Sequence, residues 1–255
     1  MSDGFSINKK ILNGFVTGLI SAYLFNPFDK ALYLVVKNKT HMFNKEIWKS
    51  PFKGVCQTLY NRVIGYGIYF SAYDIFKQYY GFNNIVSGAL AGTITALFNN
   101  PIHVVKMYNW NTSDKKSFII LSTDIYRKYG LGRFYYGLSY TTFKDVLFSC
   151  IFFALSEKYN KDKLILYNII FASLATIITS PVYYFRNRIY FDFNNPVKLK
   201  DMIIELQSQL VTTNQNKIVY LFHNKFNIVF LTLRTSIGLA VSKKIYDCID
   251  NRLST

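Results

Sequence analysis

Three uncharged apolar runs most constrain what this chain can become: residues 11–28, 82–105 (taking His103 as neutral) and 164–185, of 18, 24 and 22 residues. With a rise of about 1.5 Å per residue, helices of that length cross most or all of a hydrocarbon layer about 30 Å thick. Each run meets a proline near its end, in Leu24-Phe25-Asn26-Pro27-Phe28-Asp29-Lys30, Asn100-Pro101-Ile102-His103-Val104-Val105-Lys106 and Ser180-Pro181-Val182-Tyr183-Tyr184-Phe185-Arg186. A proline inside a helix lacks the backbone donor and clashes with the preceding turn, so a kink is expected at each. The prolines stand 74 and then 80 residues apart, which reads as an internal triplication.

Composition separates the remaining classes. The chain is 51% hydrophobic and only 17% charged, a balance that favours a membrane over a soluble core. Buried soluble helices are the competing reading, because Asn, Ser and Thr interrupt the apolar runs. The net charge of +16 would suit nucleic acid, but the cations lie in short tracts between apolar segments, with no zinc spacing or recognition helix. Anionic lipid headgroups and an anionic solute are the expected partners, and nucleic acid is not. Cys56, Cys150 and Cys248 are too few for a disulfide framework and are expected to pack as small apolar groups. His41, His103 and His223 have no metal-site spacing, and neither a phosphate loop nor a nucleophile motif is present, so no enzyme, metal or cofactor is expected. Lys9 and Lys10 before the first run resemble a secretory signal, but the run is long and two like it follow; it reads as a first spanning helix, with no cleavable presequence evident.

Helices are expected over 8–37, 54–80, 83–110, 137–160, 163–190 and 222–250. Shorter ones are expected near 43–49, 118–129 and 197–209, with a loop at 212–217. Gly14 and Gly18 recur as Gly88 and Gly92, a spacing that lets a neighbouring helix approach closely. Gly18 and Gly92 both lie nine residues before a proline, where the third unit has Ala172. Gly54, Gly137 and Asn227 each precede an acid, Asp74, Glu157 and Asp247, by 20 residues. The repeats are therefore 8–80, 83–160 and 163–250 within one domain, 1–255.

In this order, the proline sites, glycine pairs, linker helices and acidic helix ends resemble the mitochondrial carrier family. The likeness implies an all-α membrane protein with six transmembrane helices in three pseudo-threefold repeats, short matrix-side surface helices and a central cavity. It further implies the mitochondrial inner membrane, with one chain sufficient for activity and cardiolipin among its lipids. A tilt toward Asn, Ile, Lys, Phe and Tyr looks like an AT-rich genome, as in a protist or a large virus acting in a host organelle. Odd helices in that family carry Pro-x-Asp/Glu-x-x-Lys/Arg and even helices Tyr/Phe-Asp/Glu-x-x-Lys/Arg. Carried over, a matrix gate would pair Asp29 with Lys106, His103 with Arg186, and Tyr183 with the position of Leu32. A cytoplasmic gate would pair Asp247 with Lys77, Asp74 with Asn160, and Glu157 with Asp250. Each gate then has one complete ion pair and should close weakly; ordinary headgroup-level helix ends are the plainer reading of the same charges.

Counting 13 and 12 residues back from the even-helix acids gives Asn61 and Arg62, Lys144 and Asp145, and Arg234 and Thr235. In the family, these levels include substrate contact points near the membrane midplane. If they face a cavity, Arg62, Lys144 and Arg234 make a cationic constriction for phosphate or carboxylate. Alternatively, Arg62 and Arg234 snorkel or pair with Asp145. Tyr66, Tyr69, Tyr140 and Phe148 could flank a ring, or simply pack between helices, and Asn99 or Asn100 could complete the site. The first expectation is exchange of nucleotides or deoxynucleotides by alternating access. The alternatives are an amino-acid or related zwitterion carrier, favoured by the adjacent Lys144-Asp145, and a non-transporting carrier or scaffold.

Overall fold

The computed structural model describes residues 2–38, 40, 42–112, 116–159, 165–191, 193–195, 197–213 and 216–254; the side chains at 2–12, 14, 66, 70, 157, 223, 224, 247 and 250–254 lie outside that description. Regular structure among the described residues is helical throughout: α1 (Ser2–Asn38), α2 (Val55–Asp74), α3 (Asn84–Asn111), α4 (Phe118–Tyr129), α5 (Leu138–Tyr159), α6 (Ile165–Arg188), α7 (Leu199–Thr212), α8 (Lys217–Val219) and α9 (Ile228–Ser254). The long helices pack in chain order, α1 on α2, then α3, α5, α6 and α9, and α9 returns to α1 to close a ring. The run 11–28 lies within α1. Among the described residues, Asn84–Asn111, Leu131–Ser156 and Ile165–Arg188 are long and apolar enough to cross a membrane.

The ring is apolar outside and polar within. On α6, Leu166, Ile170, Leu174 and Ile178 recur every fourth residue and are exposed, while Thr176, Thr179 and Ser180 are buried. Residues four apart share one helix face, so this stripe points away from the bundle. On α9, Val229, Leu233 and Ile237 do the same. Inner faces meet through polar contacts: Ser21 with Ser242 at 2.7 Å, Ser173 with Ser236 at 2.7 Å, and Asn13 Nδ2 donating to the Tyr246 carbonyl at 3.0 Å. Small hydroxyl and amide groups of this kind join helices where lipid removes the hydrophobic drive for association. Cys56 and Cys248 are exposed and Cys150 is partly so, contrary to the expectation that all three would be packed away.

Pro27, Pro101 and Pro181 sit inside α1, α3 and α6. The residue before each proline shows what the repeat does. Asn26 Nδ2 donates to the carbonyls of Pro51 and Lys53 at 3.1 and 3.3 Å, and Asn100 Nδ2 to those of Phe134 and Tyr136 at 2.7 and 3.3 Å. Each amide thus ties a proline-bearing helix to the chain entering the next long helix. Ser180 is too short for this and donates within α6 to the Ile177 carbonyl at 2.8 Å. The entries share a backbone turn as well: Gly54, Gly137 and Asn227 have φ of 82°, 75° and 52°, just before α2, α5 and α9.

Helix ends differ from expectation at two places. Regular α2 stops at Asp74 and finishes in a wider turn, Ile75–Tyr79; α9 begins at Ile228 because Tyr220–Lys225 forms a similar turn and Asn227 reverses the backbone. Of the short elements, α4 spans the expected residues 118–129, α7 runs on to Thr212, and the first shrinks to the single tight turn Lys45–Trp48. Gly88 lies so close to α5 that a Cβ there would stand 2.5 Å from the Phe153 ring, so the tight approach expected of this glycine occurs. At Gly92 the nearest atom would be 4.0 Å away, an ordinary contact.

Candidate functional site

The ring encloses a cavity of about 570 Å³. Its wall includes the consecutive pairs Asn61 and Arg62 on α2, Lys144 and Asp145 on α5, and Arg234 and Thr235 on α9. All six residues that spacing singled out, and that the carrier resemblance would make substrate contacts, line this one space. Asp29, His103, Lys106, Tyr183 and Arg186, expected at a matrix gate, border the same cavity nearer the prolines. Met107 and Trp110 also line it and belong to the buried apolar cluster beneath.

Among the described residues, two ion pairs occupy the wall. Arg234 grips Asp29 with both prongs of its guanidinium, Nε to Oδ1 at 2.5 Å and Nη2 to Oδ2 at 2.9 Å, and Lys144 pairs with its neighbour Asp145. The expected pairing of Asp29 with Lys106 is replaced. A planar fork matches both carboxylate oxygens, which an ammonium cannot do, and the Lys106 ammonium lies 4.9 Å from the Trp110 ring centroid. Five Lys or Arg residues (Arg62, Lys106, Lys144, Arg186, Arg234) line the cavity against two Asp, so its interior is cationic.

The other gate expectations fare unevenly. His103 meets Tyr190 edge to face at 5.4 Å, and its Nε2 is buried with no hydrogen-bond partner. Arg186 lies 4.8 Å from the centroid of the Tyr183 ring, and Tyr183 packs against the apolar cluster containing Leu32. Asp74 and Lys77 are exposed at the far end of α2, with the Lys77 ammonium 5.6 Å from the Tyr73 ring centroid. Asn160 and the side chains of Glu157, Asp247 and Asp250 lie outside the described residues, as do the side chains of Tyr66 and His223 and all of His41. Tyr69 and Phe148 line the cavity, whereas Tyr140 packs against the apolar cluster. Asn99 faces the cavity and donates to the Asn61 carbonyl at 3.2 Å; Asn100 does not, since its amide is spent on the loop before α5. Thr95, Ser149, Thr176 and Thr179 add hydroxyl groups that spacing alone did not single out.

Where pairs of opposite charges were expected, the proline end is closed by Tyr33, Asn111 and Tyr190 together with the Lys37 ammonium. Tyr33 Oη donates to Asn111 Oδ1 at 3.0 Å and to the Tyr190 carbonyl at 3.1 Å, and Asn111 Nδ2 donates to that same carbonyl at 2.6 Å. Lys37 Nζ reaches Asn111 Oδ1 at 2.5 Å. These bonds join α1, the end of α3 and the turn after α6, over a core of Tyr33, Val104, Val105, Leu121, Ile125 and Met202. Tyr190 Oη donates to the Tyr136 carbonyl at 3.0 Å, and burial pushes its phenol up to about 12, so it remains a donor at physiological pH. Replacing Asn111 with Ala is expected to loosen this end, since each lost bond is worth about 1 kcal/mol. Hydrogen–deuterium exchange of residues 104–112 and 186–191 should accelerate about tenfold or more.

Fold and site define a helical bundle turned inside out, with a polar, cationic, solute-sized interior. Among the described residues no group of three His, Cys, Asp or Glu side chains could hold a metal. Residues 78–167, from the end of the turn after α2 to the start of α6, match the family described as "Mitochondrial carrier protein". The mitochondrial glycine transporter of Yarrowia lipolytica is 24% identical, in a match covering 68% of this chain. This chain spans 65% of that protein's length. The matched stretch and the helical fold correspond to a carrier and not to a catalytic enzyme.

Proposed function

We propose that the whole chain is a mitochondrial-type carrier of three repeats and six membrane spans, moving a small amino-acid-like zwitterion by alternating access across the inner mitochondrial membrane. The observation that carries this is a shared cavity in which α2, α5 and α9 each present a polar pair, with carboxylates and cations side by side. Arg234 would take the substrate carboxylate and Asp145 its ammonium, while Arg62 and Asn61 close the third side. The name of the Yarrowia relative favours an amino acid over the nucleotide expected from overall basicity. The proline end, closed by the Tyr33, Asn111 and Tyr190 bonds, would open in turn as the cavity shuts at its other end. α1, α3 and α6, rotating at their prolines against their partners, would carry that change.

An anionic substrate, such as a dicarboxylate or nucleotide, is the second reading, and the excess of cations on the wall supports it. Radiolabelled glycine, glutamate, ADP, dATP and succinate, offered to proteoliposomes preloaded with each unlabelled compound, would decide between them. Saturable counter-exchange of an amino acid unaffected by nucleotides is the expected result, and exchange confined to ADP or dATP would reject it. Replacing Asp145 with Asn should raise the amino-acid KM about tenfold by removing the ammonium's partner. Uptake of any dicarboxylate should fall much less.

A further inference from the structure

We infer that Lys106 and Arg186 form an oxyanion site toward the proline end of the cavity, made of residues other than the four proposed to hold the solute. This goes beyond the carrier reading, and phosphate tests it whatever solute the chain moves.

The repeat itself creates a charge imbalance. Counting from the prolines, α1 has an acid, Asp29, at the second residue and an apolar Leu32 at the fifth. α3 and α6 invert this, with His103 and Tyr183 at the second residue and the bases Lys106 and Arg186 at the fifth. One acid thus stands against two bases, and Asp29 gives both oxygens to Arg234. Asp145, the other acid of the wall, is paired with Lys144. Among the described residues Lys106 and Arg186 make no ion pair, although they are only 9% and 8% exposed. Each rests on a ring, Lys106 on Trp110 at 4.9 Å and Arg186 on Tyr183 at 4.8 Å, a contact that attracts a cation without neutralising it. Arg186 Nη2 donates to Asn187 Oδ1 at 3.2 Å, but its Nε is buried with no hydrogen-bond partner, as is His103 Nε2 three residues before Lys106.

Two buried cations within electrostatic reach of each other are costly unless an anion accompanies them. The donors say which kind. A guanidinium presents parallel N–H groups that match two oxygens of one acid, and an ammonium adds charge without demanding a direction. Chloride has no second atom for the fork, whereas phosphate and carboxylate do. Since α5 separates α3 from α6 in the ring, an oxyanion held by both residues spans the interior. A cavity of about 570 Å³ is of a size that takes drug-sized ligands, so an amino acid leaves room for a second ion. The oxyanion is either free phosphate or a further acidic group of the solute, and the two are separable by competition.

The test uses the full chain purified in detergent free of phosphate and sulfate, at ionic strength held constant with chloride. Labelled phosphate is titrated in while binding and melting temperature are followed. Wild type should bind one phosphate per chain saturably and melt higher for it, and so should Lys49→Gln, which removes an exposed surface charge. Lys106→Gln and Arg186→Gln should weaken phosphate binding about thirtyfold or more, as loss of one partner from a buried charge contact does. Without phosphate, Lys106→Gln should melt above wild type, because it removes an uncompensated buried charge, and phosphate should reverse that order. If Lys106 only packs on Trp110, Lys106→Gln melts lower in both buffers and the inference fails. Succinate that displaces phosphate one for one assigns the oxyanion to the solute, and phosphate that stays bound beside saturating succinate assigns it to solution; either keeps the site. Wild type that binds neither anion saturably, or binding that both Gln variants retain, overturns it, the first without any variant having to fold. No arm reads transport, so a chain that exchanges no amino acid would reject the zwitterion reading and leave this site standing.

Discussion

Replacing Arg234 with Ala should take uptake to background while the protein still inserts in the membrane and keeps its helix content. Removing one member of a desolvated, hydrogen-bonded charge pair typically costs about 2–5 kcal/mol of binding free energy. Here the same side chain would serve both the substrate and Asp29, so the loss falls at the upper end. Arg234→Lys keeps the charge but not the fork, and should retain some transport, weakened about tenfold. Uptake assays on reconstituted protein, normalised to inserted protein, read this directly; wild-type uptake by Arg234→Ala would remove Arg234 from the site.

The second large effect concerns stability. Gly137 has φ of 75°, and a Cβ there would stand 2.5 Å from both Ile189 Cδ1 and Tyr190 Oη. Gly137→Ala therefore meets backbone strain of about 1–2 kcal/mol. It also displaces the Tyr190 hydroxyl from the Tyr136 carbonyl, worth about 1 kcal/mol more. The detergent-solubilised protein should melt several degrees lower. Gly132→Ala is the control: nothing lies within 4 Å of a Cβ there, and its melting temperature should hardly change. Equal shifts in the two variants would mean that the turn before α5 bears no special constraint.

What the sequence disclosed and what it hid follow from distance along the chain. Gly54, Gly137 and Asn227 were visible through their equal offsets from three acids, and the structure shows the shared positive φ behind that equality. The polar pairs on α2, α5 and α9 were visible for the same reason, because constant helical geometry turns a constant offset into a constant height. Asp29 and Arg234 are 205 residues apart, and their meeting depends on α9 closing the ring against α1, which no local pattern encodes. Nor did charge pairing reveal Tyr33, Asn111 and Tyr190, since a network without a carboxylate leaves no mark in a search for opposite charges. Asn100 misled for a different reason: it stands beside the cavity-facing Asn99, and neighbouring helix positions point about 100° apart. The excess of Lys and Arg pointed to nucleotides, although two of those cations are already matched by carboxylates inside the cavity.

The central claim is that neighbouring residues of α9 face different media, water inside the ring and lipid outside it. Thr235 lines the cavity and Leu233 is 47% exposed on the outer surface. With Cys56, Cys150 and Cys248 replaced by Ala, single cysteines at these two positions can be challenged with a water-soluble, membrane-impermeant thiol reagent in proteoliposomes. Rapid labelling of Thr235→Cys, slowed by transported substrate, beside an inert Leu233→Cys is the expected result. Labelling of Leu233→Cys with Thr235→Cys protected would contradict the inside-out bundle and the passage through it.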